Sequence, residues 1–263
     1  MAQRNIIVHY HIFKNAGSSV DQLLKKNFGD QWVGFDGDKP GCVITANALE
    51  DRIVNSPEKI AFSSHQIVPP MPQVDANVYP IVFLRDPIDR IKSAYLFEWK
   101  KQLGLDAPKG SFVEFVKEKF TYRRKSSIEE FQTIRLSNDS RSVFQGTEIT
   151  DEEMLGKACD FISGLDFIGI VDDFERSNEM LAAYLREGFT EFEVSEVKAN
   201  VLQDLSLSQE VKRERIKNEL GAEMFEMIVS RNILDEALYQ HGRQCLESLY
   251  NARFQPADVK IAS

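Results

Sequence analysis

The stretch that most limits how this chain can fold is residues 5–28. A short apolar run, NIIVHYHIF (5–13), passes through a tight Gly/Ser-containing turn into SSVDQLLKKNF (18–28). The first segment reads as a buried strand. The second reads as a helix, with Val20, Leu23, Leu24 and Phe28 on one face. The same order recurs further on. KIAFSSHQ (59–66) and VYPIVFLR (78–85) are short apolar runs, and Pro87 after the second suits the first turn of a helix, where its missing N–H is not needed. FIGIV (167–171) precedes the helix-like NEMLAAYLREG (178–188). Strands alternating with helices predict an α/β fold with a mainly parallel sheet covered on both faces.

The remaining segments read as helical. SFVEFVKEKF (111–120) carries Phe112, Phe115, Val116 and Phe120 at helix spacing, and Ser206 with Gln209 resembles a capping box before a long polar helix. Their Met, Phe and Leu residues are expected in the core. The chain of 263 residues, 43% hydrophobic, can bury a sizeable core, so we expect one domain over 1–263 with a mostly helical C-terminal part from about 206. A net charge of −9 argues against a general nucleic-acid binder and against a protein that coats anionic membranes. No apolar stretch approaches the roughly 20 residues of a membrane span, and the N-terminal run is too short for a secretory signal. Cys42, Cys159 and Cys245 are widely spaced and odd in number, which fits neither a disulfide framework nor a metal cluster. A soluble, cytoplasmic protein is the expectation.

Chemistry is concentrated in two segments. In HIFKNAGSS (11–19) a strand delivers Lys14, Asn15, Ala16, Gly17, Ser18 and Ser19 to a helix start, where backbone N–H groups and the helix dipole favour an anion. The lysine precedes the glycine, the reverse of the G-x-x-x-x-G-K-[ST] order of phosphate loops in nucleotide hydrolases. A serine-capped turn with no ligand accounts for this segment taken alone. In FLRDPIDRIKSAY (83–95), Arg85 lies at the expected C-terminal end of a strand and Ser93 about two helical turns on, so both can face one phosphate. Alternatively, Arg85 pairs with Asp86 or Asp89. Two separate anion sites together point to a nucleotide carrying phosphate at both ends.

These segments resemble the 5′-phosphosulfate loop and the 3′-phosphate motif of sulfotransferases that use 3′-phosphoadenosine-5′-phosphosulfate (PAPS). The second is the more specific, because its Arg, Asp-Pro, Arg, Ser and Tyr all fall at the family's spacing. The branch most resembled contains carbohydrate sulfotransferases with an H-x-P-K-x-A-G-[ST]-[ST] loop. Phe13 stands here for the proline, a change expected to loosen the loop without removing a ligand group. Weaker similarities continue through SSHQI, EFQTIRL, FIGIVDDFERSNEML and NILDEALYQHG. The resemblance implies a P-loop-like three-layer sandwich with additional helices. It also implies PAPS as sulfuryl donor with 3′,5′-ADP as product, no metal, and a Lys14 that stabilises charge on the leaving oxygen.

His65 is the candidate general base, since it follows an expected strand and the branch has a histidine in a similar stretch. His9 and His11 read as core histidines, and His241 as solvated. Arg123, Arg124 and Lys125, with Gln132 and Arg135 following, form a local basic segment able to receive an anionic sugar, or else a solvated face. The negative total charge weighs against a long sulfated polysaccharide and leaves a smaller glycan, glycolipid or hydroxylated metabolite as acceptor. Three functions stay open on sequence: a PAPS-dependent O-sulfotransferase, a P-loop-type kinase, and a non-catalytic nucleotide-binding protein. The reversed loop and the lack of an evident magnesium-binding aspartate after a strand disfavour the kinase.

Overall fold

The computed structural model describes residues 3–39, 41–122, 127–137, 149–194 and 207–255. Its centre is a five-stranded parallel sheet in the order β2-β3-β1-β4-β5, formed by Trp32–Gly34 (β2), Ala61–Ser64 (β3), Arg4–Tyr10 (β1), Ala76–Leu84 (β4) and Gly169–Ile170 (β5). Helices cover the sheet, giving the expected three-layer α/β sandwich. Ile6, Ile7, Val8, Ile81, Val82, Phe83 and Leu84 are all buried, because strands covered on both faces have no solvent side. Pro80 cannot donate to a ladder, yet it sits within β4 opposite Val8 of β1. It is tolerated because β5 pairs only with Phe83 and Leu84, so β4 has no second neighbour at Pro80.

Local signals explain the helix boundaries near the site. Helix α1 spans Gly17–Phe28 and α2 spans Ala46–Val54. Helix α3 runs from Pro87 to Leu96, with Asp86 as N-cap accepting from the Asp89 N–H at 2.8 Å, and continues into a π-helical turn at Phe97–Lys101. Helix α4 (Phe112–Phe120) opens with a capping box between Ser111 and Glu114. After it come α5 (Phe131–Leu136), α6 (Asp151–Ser163) and α7 (Phe174–Leu185). The C-terminal helices are α8 (Gln209–Leu220), α9 (Ala222–Ser230) and α10 (Ile233–Phe254). Among the described residues no helix is long and apolar enough to cross a membrane.

Two expectations change. The first strand stops at Tyr10 rather than Phe13, because the backbone turns there: the Ile12 N–H donates to the Tyr10 carbonyl at 2.9 Å, and Asn15 N–H to Ile12 at 3.1 Å. The α8 cap is Ser208, whose hydroxyl accepts from Val211 N–H at 3.3 Å. Ser206, expected in that role, lies outside the described residues, as do Arg123, Arg124 and Lys125.

Candidate functional site

The C-terminal ends of β1, β3 and β4 open into a cavity of about 590 Å³, where ligands bind in open α/β sheets. Its lining joins Lys14, Ala16, Gly17, Ser18 and Ser19 to Arg85, Ser93, His65 and Arg135, so residues from four separate sequence segments share one space.

The turn after β1 has an unusual backbone. Lys14 and Ala16 both adopt left-handed conformations, with φ of 67° and 60°. Ala16 occupies the N-cap position of α1 without a capping side chain, and the Ser19 and Val20 N–H groups bond back to its carbonyl. Among the described residues no side chain caps this helix start, and Gly17 and Ser18 line the cavity, the arrangement that receives an anion. Gly17 is required by space as well. A Cβ there would lie 2.0 Å from His11 Cδ2 and 2.2 Å from His11 Nε2. Burial, then the nearby Arg85 and Lys101 charges, push the Lys14 pKa down to about 8. Its ammonium lies 4.5 Å from the centroid of the Phe97 ring. Phe13 packs edge-on against Phe97 at 5.4 Å and Phe131 at 6.3 Å, so aromatic contacts hold the turn at this position.

Arg85 is buried at the end of β4, and the alternative pairing with Asp89 is present. Arg85 Nε donates to Asp89 Oδ2 at 2.7 Å, Nη2 pairs with the same oxygen at 2.6 Å, and Nη1 donates to the Lys14 carbonyl at 3.1 Å. It still lines the cavity, now as a guanidinium held in place that also ties the two motif segments together. Ser93, buried on α3, lines the same space.

Two candidate contact residues serve otherwise. The Asn15 side chain is buried and donates to the Phe83 carbonyl and to Gln132 Oε1, both at 2.7 Å. Gln132, expected to meet the acceptor, is fully buried and does not line the cavity. Its Oε1 accepts from Arg85 N–H at 3.0 Å and its Nε2 donates to the Arg85 carbonyl at 2.9 Å. Both amides pin the loop and α5 to the end of β4. Helix α5 is held in turn by reciprocal caps. Asp235 of α10 accepts from the Gln132 and Thr133 N–H groups at 3.1 and 2.8 Å, and Glu130 accepts from the Leu234 and Asp235 N–H groups at 3.2 and 2.8 Å. The result fixes Arg135, which lines the cavity with 8% exposure. Among the described residues its Nε and Nη1 meet no hydrogen-bond partner. Burial lowers its pKa, and Asp36 opposes that. Arg90, the other motif arginine, is wholly buried behind Phe131, with its guanidinium 4.9 Å from the ring and no hydrogen bond among the described residues.

His65 follows β3 and opens onto the cavity. Its backbone N–H donates to Asp36 Oδ1 at 3.0 Å, and its Nδ1 bonds the His11 carbonyl at 3.0 Å. A carbonyl only accepts, so Nδ1 carries the proton and Nε2 offers its lone pair. Surrounding protein, then the adjacent His11, push its pKa down to about 4, although the outer edge of the ring stays open to the cavity. The neutral form is held across the neutral range. His9 is a core histidine as expected, but His11 is not only that, since it also lines the cavity. Asp21 of α1 bonds His9 Nδ1 and His11 Nδ1 through separate oxygens, each at 2.9 Å. These two hydrogen bonds hold His9, His11 and Asp21 in one cluster. His241 is half-buried on α10, bonded to Ser163, and does not line the cavity.

The sequence reading missed Asp36, Asp21 and Phe97. An aspartate in the turn FDGD, one in a helix, and a phenylalanine in an apolar run carry no local signal of a site.

The model of the sulfotransferase family matches residues 1–241. An uncharacterised protein of Archaeoglobus fulgidus is 31% identical over 248 residues, covering 90% of this chain and 95% of that protein.

Proposed function

This chain belongs to the sulfotransferase family, and from that premise we propose that it moves a sulfuryl group from PAPS to an acceptor hydroxyl without a metal. The observation that carries this reading is the cavity, which joins an uncapped helix start and Lys14 to Arg85 and Ser93 and opens onto a neutral histidine. PAPS supplies an activated sulfuryl group whose bond to the phosphate oxygen breaks as the bond to the acceptor oxygen forms. Its anionic ends fit the two segments. The Gly17 and Ser18 N–H groups with the Ser18 and Ser19 hydroxyls receive the 5′ end at the start of α1. Arg85 and Ser93 hold the 3′-phosphate.

In this reading Lys14 meets the negative charge that grows on the leaving oxygen, in place of a metal ion. His65 Nε2 takes the acceptor's proton as its oxygen attacks. Arg135 receives an anionic group of the acceptor, whose class we take to be a carbohydrate, glycolipid or hydroxylated metabolite. Among the described residues its Nε and Nη1 have no partner, and because Arg135 lines the cavity a ligand can supply the acceptor that a buried donor otherwise lacks.

Thermal shift with 3′,5′-ADP, 5′-ADP and Mg-ATP tests the donor. Strong stabilisation by 3′,5′-ADP alone is expected. Stabilisation by Mg-ATP alone would favour a kinase. Transfer of label from PAPS into an acceptor fraction then tests catalysis, and tight 3′,5′-ADP binding with no transfer to any acceptor would mark a non-catalytic nucleotide binder.

A further inference from the structure

His11 touches both sides of the proposed chemistry. Its ring lies against that of His65, with centroids 3.7 Å apart and planes inclined by 42°. Its carbonyl accepts the His65 Nδ1–H at 3.0 Å. The Cδ2–Nε2 edge of the same ring fills the space over Gly17, so the turn and the histidine meet on one surface. The ring's remaining nitrogen is anchored, since His11 Nδ1 bonds Asp21 Oδ2 at 2.9 Å. Asp21 is itself braced by His9, which bonds its other oxygen at 2.9 Å and lies 3.2 Å from Ser63 Oγ on β3. Burial would raise the Asp21 carboxyl, but the hydrogen bonds from His11 and His9 outweigh it and hold the group well below the usual carboxylate range. It is therefore a fixed acceptor, and His11 presents Nδ1–H to it.

We propose that Asp21 and His11 are a positioning pair: by anchoring the His11 ring, Asp21 keeps the His11 carbonyl aimed at His65 Nδ1 and so sets the orientation and tautomer of the His65 imidazole relative to the Gly17 turn. The neighbours of His65 make this specific: Asp36 bonds its backbone N–H, whereas its ring meets the carbonyl and ring of His11. A rotation of the His11 ring away from Asp21 would break the Nδ1 hydrogen bond and remove the surface on which His65 rests. The proposal rests on the reading of His65 as the base, and its test separates the two.

Side-chain ¹⁵N NMR of uniformly labelled protein saturated with 3′,5′-ADP reads the His65 tautomer, which should be Nδ1–H with bare Nε2. In Asp21→Asn and in His11→Phe, which keeps a ring but loses the anchor, His65 should become a mixture of tautomers. Single-turnover transfer from PAPS should fall roughly tenfold or more. Affinity for 3′,5′-ADP should stay within about twofold, and Asp21→Glu should recover part of the rate. An unchanged His65 tautomer in both variants overturns the proposal. So does joint loss of 3′,5′-ADP affinity and melting temperature in both, which would make the cluster a folding element only. Wild-type transfer by His65→Asn would remove the base reading, while the tautomer measurement would still decide the positioning claim.

Discussion

The two ends of the cavity are built on opposite terms. At the Arg85 end the protein has already assigned partners to its charge: Arg85 is tied to Asp89 and to the Lys14 carbonyl, and its backbone is gripped by Gln132. At the His65 end, Arg135 is almost as buried, but among the described residues its Nε and Nη1 and His65 Nε2 have no partner. A guanidinium held by protein groups has a set shape before ligand arrives, so it suits a ligand that is always the same. One left unpartnered where it lines the cavity, as Arg135 does and the equally unpartnered Arg90 does not, can be completed by what binds. We assign the first end to the nucleotide and the second to the acceptor.

The comparison breaks most easily at Lys14, which lines the same cavity. Lys14→Ala should lower turnover by roughly 10²-fold or more, by analogy with the loss of one oxyanion donor, with a much smaller effect on 3′,5′-ADP affinity. Near-normal turnover would take Lys14 out of the mechanism.

Arg85→Ala should weaken 3′,5′-ADP by about 10- to 150-fold, equivalent to about 1.5–3 kcal/mol. It should also lower the melting temperature, because Asp89 loses the partner of a buried carboxylate. Calorimetry with 5′-AMP sharpens the assignment, since that nucleotide offers nothing to a 3′-phosphate site and should weaken far less. Equal weakening of both nucleotides would make Arg85 a structural ion-pair partner.

The pH–rate profile tests the two ends at once. His65 must be neutral to accept a proton, so kcat/KM should fall as pH drops toward about 4. Lys14 must be charged, so kcat/KM should fall again above about 8. Each limb approaches about tenfold per pH unit. Stability should follow the histidine with the same sign: the unfolded chain takes the proton at its ordinary value of 6.5, so stability is lost as pH falls from there through about 4. An acid limb at the ordinary histidine value would mean that the His65 ring is not held as described.

The smallest effect is the most discriminating. Arg135→Gln should leave 3′,5′-ADP affinity within about twofold while weakening an anionic acceptor by roughly 10-fold or more, read by calorimetry on the nucleotide-bound protein. A matching loss of 3′,5′-ADP affinity would move Arg135 to the nucleotide end.

Much of the site could be read along the chain because its parts are local. A strand followed by K-N-A-G-S-S and a helix can only bring those backbone amides to the end of the strand, and Asp86-Pro87 starts α3 wherever the rest of the chain goes. Hydrophobic runs likewise specify buried parallel strands, since no polar alternation is available to a solvent face. Side-chain partners across long separations were not readable in this way. Gln132 lies 117 residues from Asn15, and its caps come from Asp235, over 100 residues further on, so nothing nearby distinguishes a pinning amide from one that meets ligand. His11 and His65 are 54 residues apart, and only the pairing of β1 with β3 brings the ring of one against the other. Residue order determined which chemical groups reach the sheet's C-terminal edge, because that depends on short-range backbone geometry. Packing of distant segments decided which of those groups face the cavity and which are consumed in holding it, because a buried hydrogen bond takes whichever partner the fold brings within reach.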